Sequence, residues 1–296
     1  MIIKSLLENT IHEKAYAKLN ISLDVSKPRA DGYHDMLMVM QTVSICDDVS
    51  IRLNNTGRFH AGTGLPFIPG DERNLAVKAA KLFLQETGHQ DMGAEIRIKK
   101  AIPVGAGMAG GSADAAAVLR AMNRSFNYPL DNAALLKLSE KAGSDVPFCV
   151  IGGTALAQGR GELLTELRPL PDCRFVICKP DFSISTPELF RAIDGIRLRT
   201  HPDTKGIVEA IDAGDLKQIC RRMYNVFEDV QDRRMKTVSE IKRKMLAGGA
   251  EASIMTGTGS ATYGVFSPEA DTEQLCRELK KEYGFCVYAK PVGKLI

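Results

Sequence analysis

Residues 103–116 read Pro103-Val104-Gly105-Ala106-Gly107-Met108-Ala109-Gly110-Gly111-Ser112-Ala113-Asp114-Ala115-Ala116, and the fold turns on this run. Before it, Ala94 to Lys100 alternates apolar and polar residues in the manner of a strand. After it, Ser112 to Met122 is rich in alanine and reads as a helix. Glycines between a strand and a helix let the backbone close around an anion, while the free amides and positive dipole end of the helix attract phosphate. Three readings compete. Gly105, Gly107 and Gly110 satisfy G-x-G-x-x-G, but a dinucleotide fold also wants an acidic residue about 20 positions on, ending a second strand. Asp131 has the distance and begins a helix instead. A P-loop needs Lys and then Ser or Thr after its last glycine, and no such pair follows Gly111. The third reading is a tight connection with no ligand. Four glycines plus Ser112 exceed what a turn requires.

Upstream, Ala15, Ala17, Leu19, Ile21, Leu23 and Val25 alternate with polar residues, which predicts a strand buried on one face with Lys18 and Asn20 projecting from the other. Strand-like runs follow at Leu37 to Ile45 and Val49 to Leu53. A helix is expected from the N-cap Asn74 to a stop at Gly88, and downstream another from Asp131 to Ala142, ended by Gly143. The pattern breaks at Arg168-Pro169-Leu170-Pro171, so the expected domains are 1–168 and 169–296. The second half runs strand Cys173 to Cys178, helices to about Gly248, strands Glu251 to Met255 and Thr262 to Phe266, helix Glu269 to Tyr283, strand Phe285 to Lys290. That order is a split β-α-β-β-α-β, ferredoxin-like unit with helices inserted after its first strand.

Composition narrows the function. With 296 residues the chain has room for two cores, and 44% hydrophobic against 25% charged residues is the balance of an ordinary globular protein. A net charge of +3 is too weak to argue for nucleic acid or an anionic membrane as partner, and the absence of Trp counts against a base-stacking groove. The seven cysteines are scattered, with no C-x-x-C pair and no zinc-like spacing to histidine. Met1 to Asn20 carries Lys4, Glu8, His12, Glu13 and Lys14 and lacks the apolar stretch of a signal sequence. These features point to a reducing, cytoplasmic setting, with monomer and homodimer both open.

Other positions admit two readings each. Asp145 in Gly143-Ser144-Asp145-Val146-Pro147 can aim at a substrate hydroxyl or merely stabilise a turn. Lys18 and Asn20 can serve a site or form a solvated face. Asp31-Gly32 reads as a turn that leaves Tyr33 and His34 at a loop edge, and Thr256-Gly257-Thr258-Gly259-Ser260 reads first as a plain hairpin and second as an anion-facing loop.

Together these segments resemble the family of small-molecule kinases that includes galactokinase, homoserine kinase and mevalonate kinase. The resemblance is carried by Pro103 to Ala116 with Ala17-Lys18-Leu19-Asn20, Arg29-Ala30-Asp31-Gly32-Tyr33-His34 and Gly143-Ser144-Asp145-Val146-Pro147, all in family order. Met108 stands where leucine is usual, and the first dozen residues lie outside the motifs. The resemblance implies an α+β, two-domain kinase fold: an N-terminal ATP-binding domain, a ferredoxin-like C-terminal domain, and the active site in the cleft between them. It implies ATP and Mg2+, with a small alcohol bearing a cytidine group as acceptor. Pro103, Val104, Gly105, Ala106, Gly107, Met108, Ala109, Gly110, Gly111 and Ser112 would hold the ATP phosphates, with Asn74 and Lys100 near the adenine. Asp145 would accept the proton of the attacking hydroxyl, with Lys18 beside it steadying charge, and Asn20 would bind the acceptor's diphosphate or hydroxyls. Tyr33 and Phe190 would flank the cytosine, His34 would bond its polar edge, and Thr186 lies in the family-like Ser185-Thr186-Pro187. Phe190 can equally be an apolar helix residue beside Leu189. Another acceptor such as mevalonate or homoserine, or a non-catalytic ligand sensor on the same scaffold, are the alternatives.

Overall fold

The computed structural model describes residues 7–29 and 32–296; Ala30 and Asp31 of the expected turn, and Lys4 near the start, lie outside the described residues. Two long strands open the chain. β1 (Thr10–Pro28) pairs antiparallel with β2 (His34–Asn54) along nearly its whole length. The two runs expected at 37–45 and 49–53 are thus one strand, because Cys46, Asp47 and Asp48 keep the ladder going opposite Tyr16, Ala15 and Lys14. The other edge of β2 takes β4 (Gly93–Lys99) along Asp48–Asn54 and β5 (Thr154–Gln158) along Met38–Gln41. β3 (Phe59–Gly62) and β6 (Leu163–Glu166) extend the sheet to six strands.

Helices cover this sheet. α1 (Leu75–Glu86) starts at Asn74, whose Oδ1 accepts from the Ala76 amide at 3.0 Å. α2 runs Gly110–Ser125, two residues earlier than expected. Its alanines at 113, 115, 116, 117 and 121 are buried, and small side chains let a helix lie close to neighbours on several sides. α3 (Asn132–Ala142), capped by Asp131, leads through Gly143 and Ser144 into the short α4 (Val146–Ile151). The expectation that β1 is buried on one face only is corrected: Lys18, Asn20 and Ser22 are as buried as the apolar residues between them.

The second sheet has the order β10-β7-β9-β8, all antiparallel. It is built from β7 (Arg174–Lys179), β8 (Ala252–Met255), β9 (Thr262–Phe266) and β10 (Phe285–Ala289). In chain order that is 4-1-3-2, the ferredoxin-like arrangement. α5 (Thr186–Asp194), α6 (Thr204–Ala213), α7 (Leu216–Arg222) and a 3-10 turn at Val226–Asp229 are inserted before α8 (Arg234–Ala247), and α9 (Glu273–Tyr283) precedes β10. After β10 the chain crosses back to the first sheet, where Val292 N donates to Thr42 O at 2.9 Å and Leu295 N to Ile151 O at 2.7 Å. No helix among the described residues is long and apolar enough to cross a membrane.

Candidate active site

The glycine-rich run connects β4 to α2, and its backbone explains its composition. Gly105 and Gly107 have φ of 64° and 74°, and Ala109, the N-cap of α2, is also left-handed at 56°. A side chain at Gly107 would collide with the Thr256 carbonyl, and one at Gly105 would come within 2.5 Å of Ser183 Oγ. The run is therefore threaded against the turn between β8 and β9, where Ala261 N donates to Ala106 O at 3.2 Å. Ala109 supplies no side-chain cap, which leaves the first amides of a sixteen-residue helix for an anion.

Two cavities meet at this loop. One of about 470 Å³ is bordered by Phe67, Asn74, Leu75, Val104 and residues 105–112. The other, about 760 Å³, passes Lys18 and Asp145 and ends among Tyr33, His34, Thr186 and Phe190. Both are lined by Leu75, Gly105, Gly107, Ala109 and Ser112.

Asp145 sits at the start of α4 without making a side-chain cap bond, and its carboxylate stands 4.0 Å from Lys18 Nζ. The lysine is buried, and its ammonium donates to Asn20 Oδ1 at 2.6 Å. Asn20 is expected to bind the acceptor's diphosphate or hydroxyls. Asn20 is fully buried and does not line the large cavity. Its Oδ1 also accepts from Gly257 N at 3.0 Å, and its main-chain N–H donates to Thr256 Oγ1 at 3.1 Å. Asn20 therefore aims Lys18 and ties β1 to the 256–260 turn. That turn does more than close a hairpin, since Gly257, Thr258 and Gly259 line the cavity.

Lys100, expected near the adenine, is held by carboxylates. It borders the smaller cavity, but its ammonium lies 2.5 Å from Asp47 and 2.7 Å from Asp114, so those carboxylates hold the group expected near an adenine. Asn74 likewise commits its side chain to capping α1 and to the Pro69 carbonyl at 3.0 Å, shaping the cavity wall. Met108 is buried beneath the loop, whereas Val104 is exposed at its mouth.

At the far end of the large cavity the ring of His34 lies 4.9 Å from that of Phe190, which packs edge-on against Phe227 at 5.0 Å. His34 Nε2 is 2.7 Å from Asp194 Oδ1, which holds one ring nitrogen and leaves the ring's orientation fixed. Tyr33 is 53% exposed at the rim. Thr186 Oγ1 is 2.8 Å from Thr258 Oγ1, bridging α5 to the second sheet.

Sequence reading missed Arg160 and Asp194, and gave Thr258 a site role only in the second of its two readings, an anion-facing loop. Arg160 lines the large cavity with its guanidinium carbon 5.0 Å from the Tyr33 ring centroid, a cation–π arrangement. The flanking Gly159 and Gly161, both at positive φ, were the signal available: a cation on a glycine-bounded turn. No group of three or more His, Cys, Asp or Glu side chains suited to a metal occurs among the described residues.

Comparison with known proteins agrees with this geometry. Residues 74–153 match the GHMP kinases N terminal domain and residues 207–284 the GHMP kinases C terminal domain. A 4-diphosphocytidyl-2-C-methyl-D-erythritol kinase of Clostridium botulinum (strain Alaska E43 / Type E3) is 42% identical over 91% of this chain and 96% of the relative. The protein of the same name from Bacillus subtilis (strain 168) is 41% identical over 94% of this chain and 96% of its own. A crystal structure of 4-(cytidine 5'-diphospho)-2C-methyl-D-erythritol kinase superposes with a TM-score of 0.79 at 30% identity, covering 96% of this chain and all of the other.

Proposed function

The chain belongs to the GHMP kinase family, and from that premise we infer that it uses ATP to phosphorylate the 2-hydroxyl of 4-diphosphocytidyl-2-C-methyl-D-erythritol. The products are the 2-phosphate and ADP, a step in non-mevalonate isoprenoid precursor synthesis. The observation that carries this reading is the pair of cavities sharing one glycine loop, with Lys18 and Asp145 beside the junction and an aromatic end beyond them.

Phosphoryl transfer asks the protein mainly for positioning and charge neutralisation. In this reading ATP lies in the smaller cavity, its phosphates on the amides at the start of α2. The acceptor lies in the larger one, its cytosine between Tyr33 and Phe190, with His34 at the polar edge. Arg160, and Lys18 deeper in the cleft, supply positive charge along the acceptor's diphosphate path. The acceptor oxygen attacks the γ-phosphorus as its proton passes to Asp145, and the bond to the β-phosphate oxygen breaks to release ADP. Lys18 then faces the transferring group with its carboxylate partner neutralised. Magnesium, when bound with ATP, supplies further neutralisation of phosphate charge. The use of ATP and of a polar nucleotide acceptor supports a cytoplasmic setting for the reaction.

The test is ADP release measured with magnesium-ATP against a panel of acceptors. The cytidyl compound should support turnover, with mevalonate and homoserine near the no-acceptor rate. Turnover preferring mevalonate or homoserine would refute the acceptor, and no acceptor-dependent ADP release would refute catalysis in favour of a ligand sensor.

A further inference from the structure

Beneath the glycine loop lies an ionic cluster that takes no part in the chemistry above. Asp47, on β2, is fully buried. Its Oδ1 accepts the main-chain amides of Ala101 at 2.5 Å and Ile102 at 2.8 Å, the residues that lead into the loop. Its Oδ2 lies 2.5 Å from Lys100 Nζ. The same ammonium is 2.7 Å from Oδ2 of Asp114, on α2 just past the loop's end. A Cβ placed on Gly110 would stand 3.4 Å from this Nζ, so the charge sits directly under the last turn of the loop. All three side chains are at most 9% exposed.

This is a costly way to fill space. Two buried carboxylates share one ammonium, and Asp114 Oδ1 is buried without a hydrogen-bond partner. Burial pushes the Asp114 carboxyl up to about 7, Asp47 adding to the rise against the pull of Lys100. An apolar trio would pack the same volume without desolvating charge. What an apolar trio could not do is grip two main-chain amides on the entry side and a helix on the exit side through one shared atom.

We propose that Asp47, Lys100 and Asp114 form a clamp that sets the spacing between the two ends of the phosphate loop, making Asp47 and Asp114 positioning residues for the nucleotide. The proposal deepens the kinase reading and rests on it. The clamp acts through the amides of the loop that Lys100 underlies, while Lys100 and Asp114 also border the smaller cavity.

The test compares wild type with Asp114→Asn and with a neutral triple variant, Asp47→Asn with Lys100→Met and Asp114→Leu, which leaves no unpaired charge if the single variant does not fold. Calorimetry with magnesium-ADP and steady-state kinetics are run alongside thermal melts. The clamp predicts that ADP binding weakens and KM for ATP rises by about tenfold or more, as expected for amides displaced by a fraction of an ångström. KM for the cytidyl acceptor should stay within about twofold, because most of its cavity wall, from Lys18 and Tyr33 to Phe190 and Asp194, lies outside the loop. A folded triple variant with wild-type ADP affinity overturns the clamp. So does a parallel loss for both substrates that tracks a fall in melting temperature, which is the signature of general destabilisation. Failure of the wild type to bind ADP would instead defeat the kinase reading itself.

Discussion

Replacing Lys18 by methionine keeps the length and apolar stem of the side chain and deletes its charge. Lys18 Nζ is 4.0 Å from Asp145 Oδ2, with side-chain exposures of 5% and 34%. At that separation unit charges interact by about 1 kcal/mol in water and about 4 kcal/mol at the effective dielectric near a protein surface. One member of the pair is buried and the other partly open to solvent, so the value lies between these limits. In the ground state Asp145 answers that charge. In the proposed mechanism Asp145 has taken the proton by the transition state, and the same lysine faces the oxygens of the transferring phosphoryl group alone. Its contribution is therefore larger at the top of the barrier than in the bound complex, the condition for an effect on kcat.

At about 1.4 kcal/mol per decade, Lys18→Met should lower kcat by roughly 5- to 700-fold, with a smaller change in KM. Asn20 stays anchored in the variant, since its Oδ1 still accepts from Gly257 N at 3.0 Å. The assay is ADP release at saturating substrates, with a thermal melt to show that the variant is folded. Combined with Asp145→Asn, the two losses should fall well short of additive, because the residues act as a unit. A folded Lys18→Met enzyme turning over within threefold of wild type, or two strictly additive losses, would refute the pairing.

Tyr33→Ala should raise KM for the cytidyl acceptor by about 5- to 150-fold and leave KM for ATP alone, since stacking on a base is worth about 1–3 kcal/mol; equal affinity in steady-state kinetics would place the cytosine elsewhere. Gly107→Ala forces a side chain onto a φ of 74° and against the Thr256 carbonyl, so magnesium-ADP binding by calorimetry should weaken by about tenfold or more, with a lower melting temperature. A third outcome concerns pH. The Asp114 carboxyl titrates at about 7 in the folded chain and near 4 when unfolded. Between those values the folded chain holds a proton that the unfolded chain has lost, so this group makes stability fall as pH rises through that window. Melting temperatures at pH 5, 6, 7 and 8 should decline more steeply for wild type than for Asp114→Asn, and identical slopes would dispose of the idea.

Local signals carried much of this architecture. The caps at Asn74 and Asp131, the stop at Gly143 and the strand order of the second half were all legible, because each rests on neighbours within a few residues. The failures share a different cause. Period-two alternation marks Lys18, Asn20 and Ser22 as the outer face of β1, and only the turn at 256–260, more than 230 positions away, turns that face into an interior. Lys100 reads as a cation free for a ligand until Asp47 and Asp114 arrive from β2 and α2 to hold it. Arg160 reads as an ordinary turn residue until the hairpin bends it over Tyr33. Short elements such as β3, β5, β6 and α4 lack enough residues to show a period, and tertiary pairing alone defines them.

The same long-range contacts decide what the cleft can do. Asn20 is the point where three demands meet: it accepts from Lys18 at 2.6 Å, it is held by Thr256 and Gly257, and its carbonyl accepts from Tyr263 Oη at 2.8 Å. Thr256, Gly257 and Tyr263 all belong to the second sheet or its connecting turn, whereas Lys18 and Asp145 belong to the first half of the chain. Each half therefore holds part of the machinery, the lysine and the acid on one side and the group that aims the lysine on the other. Gly107 completes the coupling, since the segment that would cradle phosphates packs on the same Thr256 that binds Asn20. A shift of the second sheet relative to the first would move the phosphate loop and the lysine together. In the proposed mechanism the relative placement of the two sheets is thus part of the catalytic geometry, and substitutions at their contact should alter turnover even where they touch neither substrate.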